Sequence, residues 1–186
     1  MSCDITHGRL EQCKDVVGGL QAIYVLNYGD YDPITDVTYN GTTDEISAIA
    51  LPSSTPIYKF ELKGTNSFET TITSSRENGT TFFEQVLAVT LKKQDVQTHK
   101  EIKLLTYGRP NIIVRTNANQ FFIAGLARGM DVTAGTIGNG TALGDMNGYS
   151  LTFTGQEAVP ANFLDCVDEI TLAALLTIPV ANIINT

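Results

Sequence analysis

Residues 68–91 read FETTITSSRENGTTFFEQVLAVTL, and whether this stretch folds back on itself decides the fold class. Asn78-Gly79 stands at its centre. Asn-Gly is the strongest short signal for a two-residue hairpin turn, because both central residues need positive φ, which Asn tolerates and Gly adopts freely. With the turn there, Glu77 faces Thr80, Ser75 faces Phe82, Ile72 faces Gln85, Thr70 faces Leu87 and Phe68 faces Val89. Side-chain alternation then sets Phe68, Ile72, Phe83, Leu87, Val89 and Leu91 on one face, and Glu69, Thr71, Thr73, Ser75 and Glu84 on the other. A slip by one residue would bury the Thr and Glu side chains instead. Gln85 is the misfit on the apolar face and needs a hydrogen-bonding partner. The second face also carries Phe82, Val86 and Ala88, which are either scattered exposed apolar residues or a patch covered by another subunit.

The triplet Asn-Gly-Thr recurs at residues 40–42 and 139–141. On a secreted protein these would be sugar-attachment signals. The N-terminal MSCDITHGRLEQCKD, however, has acids and a His where an export signal would need a basic region and an apolar run. The cysteines, Cys3, Cys13 and Cys166, are odd in number, which suits reduced thiols in cytoplasm. The triplets therefore read as turns. Composition agrees: of 186 residues only 17% are charged, and Thr, Ser, Asn and Gly fill the difference, as strands and turns require. A net charge of −8 and a pI of about 4.6 leave no basic surface for nucleic-acid binding. The most apolar run, Leu172 to Ile184, is interrupted by Pro179 and Asn182, too short for a membrane span.

Along the rest of the chain, β-branched and aromatic runs predict strands at residues 20–27, 56–63, 111–116, 120–127, 131–137 and 149–155. Residues 28–55, with Gly29, Pro33, Asn40-Gly41 and Pro52, read as a long irregular connection with one short hairpin at Asn40-Gly41. A helix is predicted over Asp95 to Tyr107, with Asp95 as N-cap, an apolar stripe of Val96, Ile102, Leu104, Leu105 and Tyr107, and Gly108 and Pro110 as the stop. The sum is an all-β fold, a mainly antiparallel sandwich or barrel with one α-helix, spanning residues 1–164 with an N-terminal arm. Residues 165–186 form an apolar C-terminal extension, helix-like from about residue 165 to 177, with Asp165, Asp168 and Glu169 in its first turn. No partner strand remains for it, so a neighbouring subunit is favoured over its own domain as its packing partner. That makes Leu172, Leu175 and Leu176, together with Phe82 and Val86, candidate intersubunit residues.

Motifs of catalysis are not found: no nucleophile elbow, P-loop, His-Glu-x-x-His or Cys-x-x-Cys occurs. GTIGNGTALG at residues 135–144 is Gly-rich, but the strands flanking it make it a hairpin connection rather than a phosphate cradle. Cys3, His7 and Cys13 fit no usual zinc spacing. His99, on the predicted helix, has no relay partner at a suitable spacing and reads as a solvated residue. Asp131, Asp145, Glu157 and Asp168 supply carboxylates, although nothing local fixes a glycosidase separation. No catalytic, cofactor-binding or metal-binding residue is assigned, no cofactor is expected, and a structural or interaction protein is favoured over an enzyme.

SSRENGTTFFEQVLAVTLKK (74–93), LLTYGRP (104–110) and FFIAGLARGMDVTAGTIGNGTALGDMNGYSLTFTGQEAVPANF (121–163) resemble tail tube, or major tail, proteins of tailed bacteriophages infecting Bacteroidetes. The similar region covers roughly residues 15–164; the segment after Leu164 lies outside it. The resemblance implies a tail-tube-like β-sandwich or barrel with a flanking helix, self-association into hexameric rings that stack into a tube, contacts with other tail proteins, and passage of DNA without specific binding or any membrane. It also implies a virion protein assembled in the host cytoplasm. On this reading Glu69, Thr71, Thr73, Ser75 and Glu84 line the channel, and the acidic balance keeps phosphates from sticking. Residues 28–55, the N-terminal arm and the segment from Asp165 onward become candidates for contacts between rings. The alternatives are a capsid-decorating or head-tail connecting protein and, from another class, a secreted adhesin or carbohydrate-binding module.

Overall fold

A computed structural model describes residue 5 and residues 7–185. Its elements are β1 (Leu20–Leu26), β2 (Val37–Tyr39), β3 (Ile46–Ile49), β4 (Ile57–Glu61), β5 (Ser67–Ser75), β6 (Thr80–Lys92), α1 (Val96–Tyr107), β7 (Asn111–Thr116), β8 (Phe121–Ala124), β9 (Asp131–Gly138), β10 (Gly148–Glu157), β11 (Asn162–Leu164), α2 (Glu169–Leu175) and β12 (Ile183–Ile184). The fold is all-β with two short helices. An eight-stranded sheet has the order β12-β4-β1-β7-β8-β11-β3-β2, and a four-stranded sheet the order β5-β6-β10-β9. Pairing is antiparallel except for β11 with β3 and β12 with β4. Among the described residues no helix is long and apolar enough to cross a membrane.

All three Asn-Gly pairs lie in connections between antiparallel neighbours, β2 to β3, β5 to β6 and β9 to β10, and in the middle one the following Thr80 already opens β6. The central hairpin keeps the expected alternation of faces but not the expected register, and its core face runs out toward the turn, where Ile72, expected in the core, is 65% exposed. Ser75 pairs with Thr80, Ile72 with Phe83, Thr70 with Gln85 and Phe68 with Leu87, two residues away from the register of a two-residue turn. The loop is longer because Gly79 (φ +61°) takes a left-handed conformation while Asn78 does not, and a two-residue type I′ turn needs both. A shift by two leaves every side chain on its face. It matches apolar Phe68 and Ile72 with apolar Leu87 and Phe83 and sets Thr70 across from Gln85, where the shorter turn would have put Ile72 across from Gln85. Such cross-strand pairs contribute about 0.2–1 kcal/mol each.

The larger sheet is covered on both sides. Ile23 and Val25 of β1 and Ile112 and Val114 of β7 point toward the four-stranded sheet, where they meet Leu87, Val89, Tyr149, Leu151 and Phe153. Ala22, Tyr24 and Leu26, with Ile113, Phe121 and Ile123, point the other way onto Leu172, Leu175, Leu176, Ile178 and Ile183. The C-terminal segment thus folds onto its own chain, not onto a neighbour, and belongs to the same core as β1. Leu172 and Leu176 are fully buried, and each fully buried side chain of this kind contributes about 1.5–3 kcal/mol. Polar contacts fasten the segment as well: Thr177 Oγ1 accepts from the Leu51 N–H and donates to the Leu51 carbonyl, and Asn182 donates to the Ser53 and Thr55 carbonyls.

Helix boundaries follow their caps. The Asp95 carboxylate accepts from the Gln97 and Thr98 N–H groups, and the Gly108 N–H closes the last turn of α1 on the Leu104 carbonyl. Of the expected stripe Ile102 is buried and Leu105 partly so, whereas Val96, Leu104 and Tyr107 are exposed. The second helix is shorter than expected, because residues 162–164 form β11 and the Asp165 N–H is held by the Ile46 carbonyl. It starts at Asp168, whose carboxylate and the Thr171 hydroxyl form a reciprocal capping box.

Candidate functional site

The outward face of the four-stranded sheet gathers the residues singled out from the sequence. Alternation along β5 turns Glu69, Thr71 and Thr73 away from the core, with Ser75 at the strand end, and along β6 it turns Phe82, Glu84, Val86 and Ala88 the same way. The pairing register continues the face onto Ser150, Thr152, Thr154 and Gln156 of β10 and onto Ala134 and Thr136 of β9. A bulge near Thr152 adds Thr133, whose hydroxyl lies 2.9 Å from that of Thr154. The face is therefore a field of hydroxyls with acids at Glu69, Glu84 and Asp131. Among the described residues Lys92, the last residue of β6, is its one cation, and the Lys92 ammonium lies beside Gly64, off the sheet. Phe82 and Val86 are half-buried on this face, whereas Leu172, Leu175 and Leu176 are buried in their own chain and present no surface.

Among the described residues both margins of this sheet are open. There β5 pairs only with β6 and β9 only with β10, so each offers a row of backbone N–H and C=O groups to another strand. Directions alternate along the sheet: β5 runs against β6, β6 against β10 and β10 against β9. The two outer strands are thus opposite in direction.

What aligns this sheet on the larger one is a set of buried polar side chains around residues 125–128, where the chain crosses between sheets. Gln85 Oε1 accepts from the Gly125 N–H at 2.8 Å, which is the partner its position demanded. Glu157 Oε1 accepts from the Ala127 and Arg128 N–H groups at 3.0 and 2.7 Å, and Asn111 donates to the Gly125 and Leu126 carbonyls. All three side chains are almost fully buried. Gly125 (φ +66°) is required here, since a Cβ would come within 2.5 Å of the Gly129 carbonyl carbon. The sequence flags Gln85 by its place on an apolar face; nothing local flags Asn111.

Other sequence candidates are engaged in local structure. Asp145 accepts from the Thr141 and Ala142 N–H groups, which hold its carboxyl below the usual carboxylate range, and Asp168 is the helix cap described above. Asp131 opens β9. His99 is exposed on α1, with its ring 6.1 Å from that of Tyr149. Cys3, of the Cys3, His7 and Cys13 group, lies outside the described residues, and among the described ones no group of three His, Cys, Asp or Glu could hold a metal. The Cys166 thiol is pushed up to about 12, by burial first and then by Asp165 and Asp168.

On the opposite side of the molecule Glu169 joins α2 to the larger sheet. Its carboxylate accepts from Lys59 at 2.7 Å and from the Tyr24 hydroxyl at 3.0 Å, with Arg115 at 3.9 Å. Partial burial opposes its charge, but the hydrogen bonds from Lys59 and Tyr24 hold its carboxyl below the ordinary value. Compared with known proteins, the chain matches no family model, no curated protein and no solved structure.

Proposed function

We propose that the protein is the repeating subunit of a bacteriophage tail tube, a virion structural protein whose stacked rings form the channel for DNA ejection. The observation that carries this reading is the four-stranded sheet, with one face in the core, the other lined by hydroxyls and acids, and two open margins. Rotating copies about an axis along the strands sets the β9 edge of one against the β5 edge of the next. Because those strands run in opposite directions, the junction is antiparallel and the alternation continues unbroken around the ring.

The dimensions are consistent. Strands lie about 4.8 Å apart, so four span about 19 Å, and six copies close a cylinder about 37 Å across at the backbone. Taking about 5 Å of side chain from each wall leaves a bore of roughly 27 Å, which strand tilt widens further and which exceeds the width of a DNA duplex. The bore would present Thr71, Thr73, Glu84, Thr152 and Thr154, while the one cation of the face, Lys92, stands at the strand end with its ammonium beside Gly64 and away from the middle of the channel wall. DNA would then release no counterions on entering and would slide.

Electron microscopy of the concentrated protein is the test. Rings or tubes with a central bore support the reading, and a protein that stays monomeric under every condition that assembles phage tails removes it. Particles that bind only to preformed capsids would favour a decorating role instead.

A further inference from the structure

The two flanks of the sandwich differ in a complementary way. On the β9 flank α1 packs into the gap between the sheets without filling it: Ile102 is buried in the core between them, the Gln94 side chain donates to the Gly138 carbonyl at 3.0 Å, and a cavity of about 710 Å³ stays open between α1, β4 and β6. The helix's outer side is bare. Val96, Leu104 and Tyr107 are 89%, 55% and 80% exposed, and their helical spacing aligns them with the exposed Lys100 and Lys103 in one stripe. The β5 flank has no such helix. There a groove of about 490 Å³ opens, lined by Val16, Val17, Phe68, Glu69, Thr70 and Phe122 among others. Its aromatic floor runs on from Phe122 to Phe163, whose ring centroids are 4.3 Å apart, and Phe163 is 43% exposed.

We infer that α1 of one copy seats in the β5-flank groove of the next, so that each subunit's helix completes its neighbour's sandwich. This rests on the tube reading, which sets the β9 margin of one copy against the β5 margin of the next and so turns these two flanks toward each other. Charge agrees with the fit. Glu69 stands on the groove's rim and no Lys or Arg lines it, while the helix stripe brings Lys100 and Lys103. Helix and groove are different surfaces of one chain, so the contact is head-to-tail and propagates around a ring rather than stopping at a dimer. Glu69, a candidate channel residue, would then sit where the channel wall meets the intersubunit seam.

Two variants test this at exposed positions, Leu104→Asp on the helix and Val17→Asp on the groove, Val17 being 69% exposed. Circular dichroism and thermal melting are expected to match the parent chain. In sedimentation velocity each variant alone should need at least about tenfold more protein to assemble, the equivalent of about 1.4 kcal/mol per contact. Mixed in equal amounts at a concentration where the parent assembles, they should form a one-to-one heterodimer that grows no further. Leu104→Asp keeps an intact groove, Val17→Asp an intact helix, and the remaining surfaces are both spoiled. A mixture that stays monomeric, or either variant assembling like the parent, overturns the inference. Rings or tubes from both variants overturn it alone and leave the tube reading standing, whereas a parent chain that never assembles overturns both.

Discussion

Replacing Gln85 by Leu removes the side-chain acceptor of the Gly125 N–H while keeping a side chain of similar bulk. Gln85 is 1% exposed, its hydrogen bond to Gly125 is 2.8 Å long, and Gly125 is itself buried. Water cannot replace the lost partner without opening the gap between the sheets, so the N–H is left unsatisfied at a cost of about 1–3 kcal/mol. The apolar replacement recovers part of this by packing against Leu87 and its neighbours, which places the net loss near 1–2 kcal/mol. For a chain of this size each kcal/mol moves Tm by about 2–4 °C, so a drop of roughly 2–8 °C is expected in differential scanning calorimetry. Gly125→Ala provides the companion measurement. It keeps the N–H and its acceptor but forces a Cβ against the Gly129 backbone at a left-handed φ, and should cost at least as much. A Gln85→Leu protein that melts at or above the parent's Tm would refute the claim that this hydrogen bond fastens the crossover to the hairpin.

Leu172→Ala should destabilise by about 2–5 kcal/mol in urea unfolding of the monomer, since the side chain is wholly buried against its own sheet; a loss felt only in assembled protein would contradict that packing. The Glu169 carboxyl is held below its ordinary 4.5 when folded, so its contribution is complete above that pH and disappears as pH falls through the lower folded value. Glu169→Gln should therefore flatten the acid limb of a stability–pH profile and leave its shape near neutrality unchanged. Thiol reagents at neutral pH should modify the exposed Cys13 quickly and the buried Cys166 only on unfolding, as mass spectrometry of peptides would read. Glu84→Lys, near the middle of the outward face, should leave tubes intact by microscopy but slow DNA release from particles that carry it; unchanged release would take Glu84 out of the channel.

The hairpin, α1 and the central strands were legible because each rests on local chemistry: alternation along β5 and β6, the Asp95 cap and the Gly108 stop. Register was less so. Asn78-Gly79 signals a reversal, but only the cross-strand matching of Phe68 with Leu87 and Ile72 with Phe83 shows that the loop is four residues long. The C-terminal segment packs on its own sheet rather than on a neighbour for a traceable reason. The runs in β1 and β7 are apolar at consecutive positions, not alternate ones, and such runs mark strands covered on both faces. Ile112, Ile113 and Val114 already asked for a second layer, and Leu172, Leu175 and Leu176 supply it. β11 and β12 could not be read locally, since they are very short and owe their extended form to neighbours distant in sequence. The candidate site was visible as a face. Its open margins, and the groove and helix beside them, follow from strand order, which pattern along a chain does not specify.

Natural sheets commonly blunt an outermost strand with Lys, Pro or an inward charge to stop it recruiting strangers. Neither β5, SFETTITSS, nor β9, DVTAGTIG, carries a Lys or Pro, and the bulge at Thr133 is the main irregularity standing in the way. If the tube reading holds, a polypeptide made this way would be prone to unscheduled polymerisation, and its timing would then have to be governed from outside, by how much of it accumulates and by when a nucleating platform becomes available.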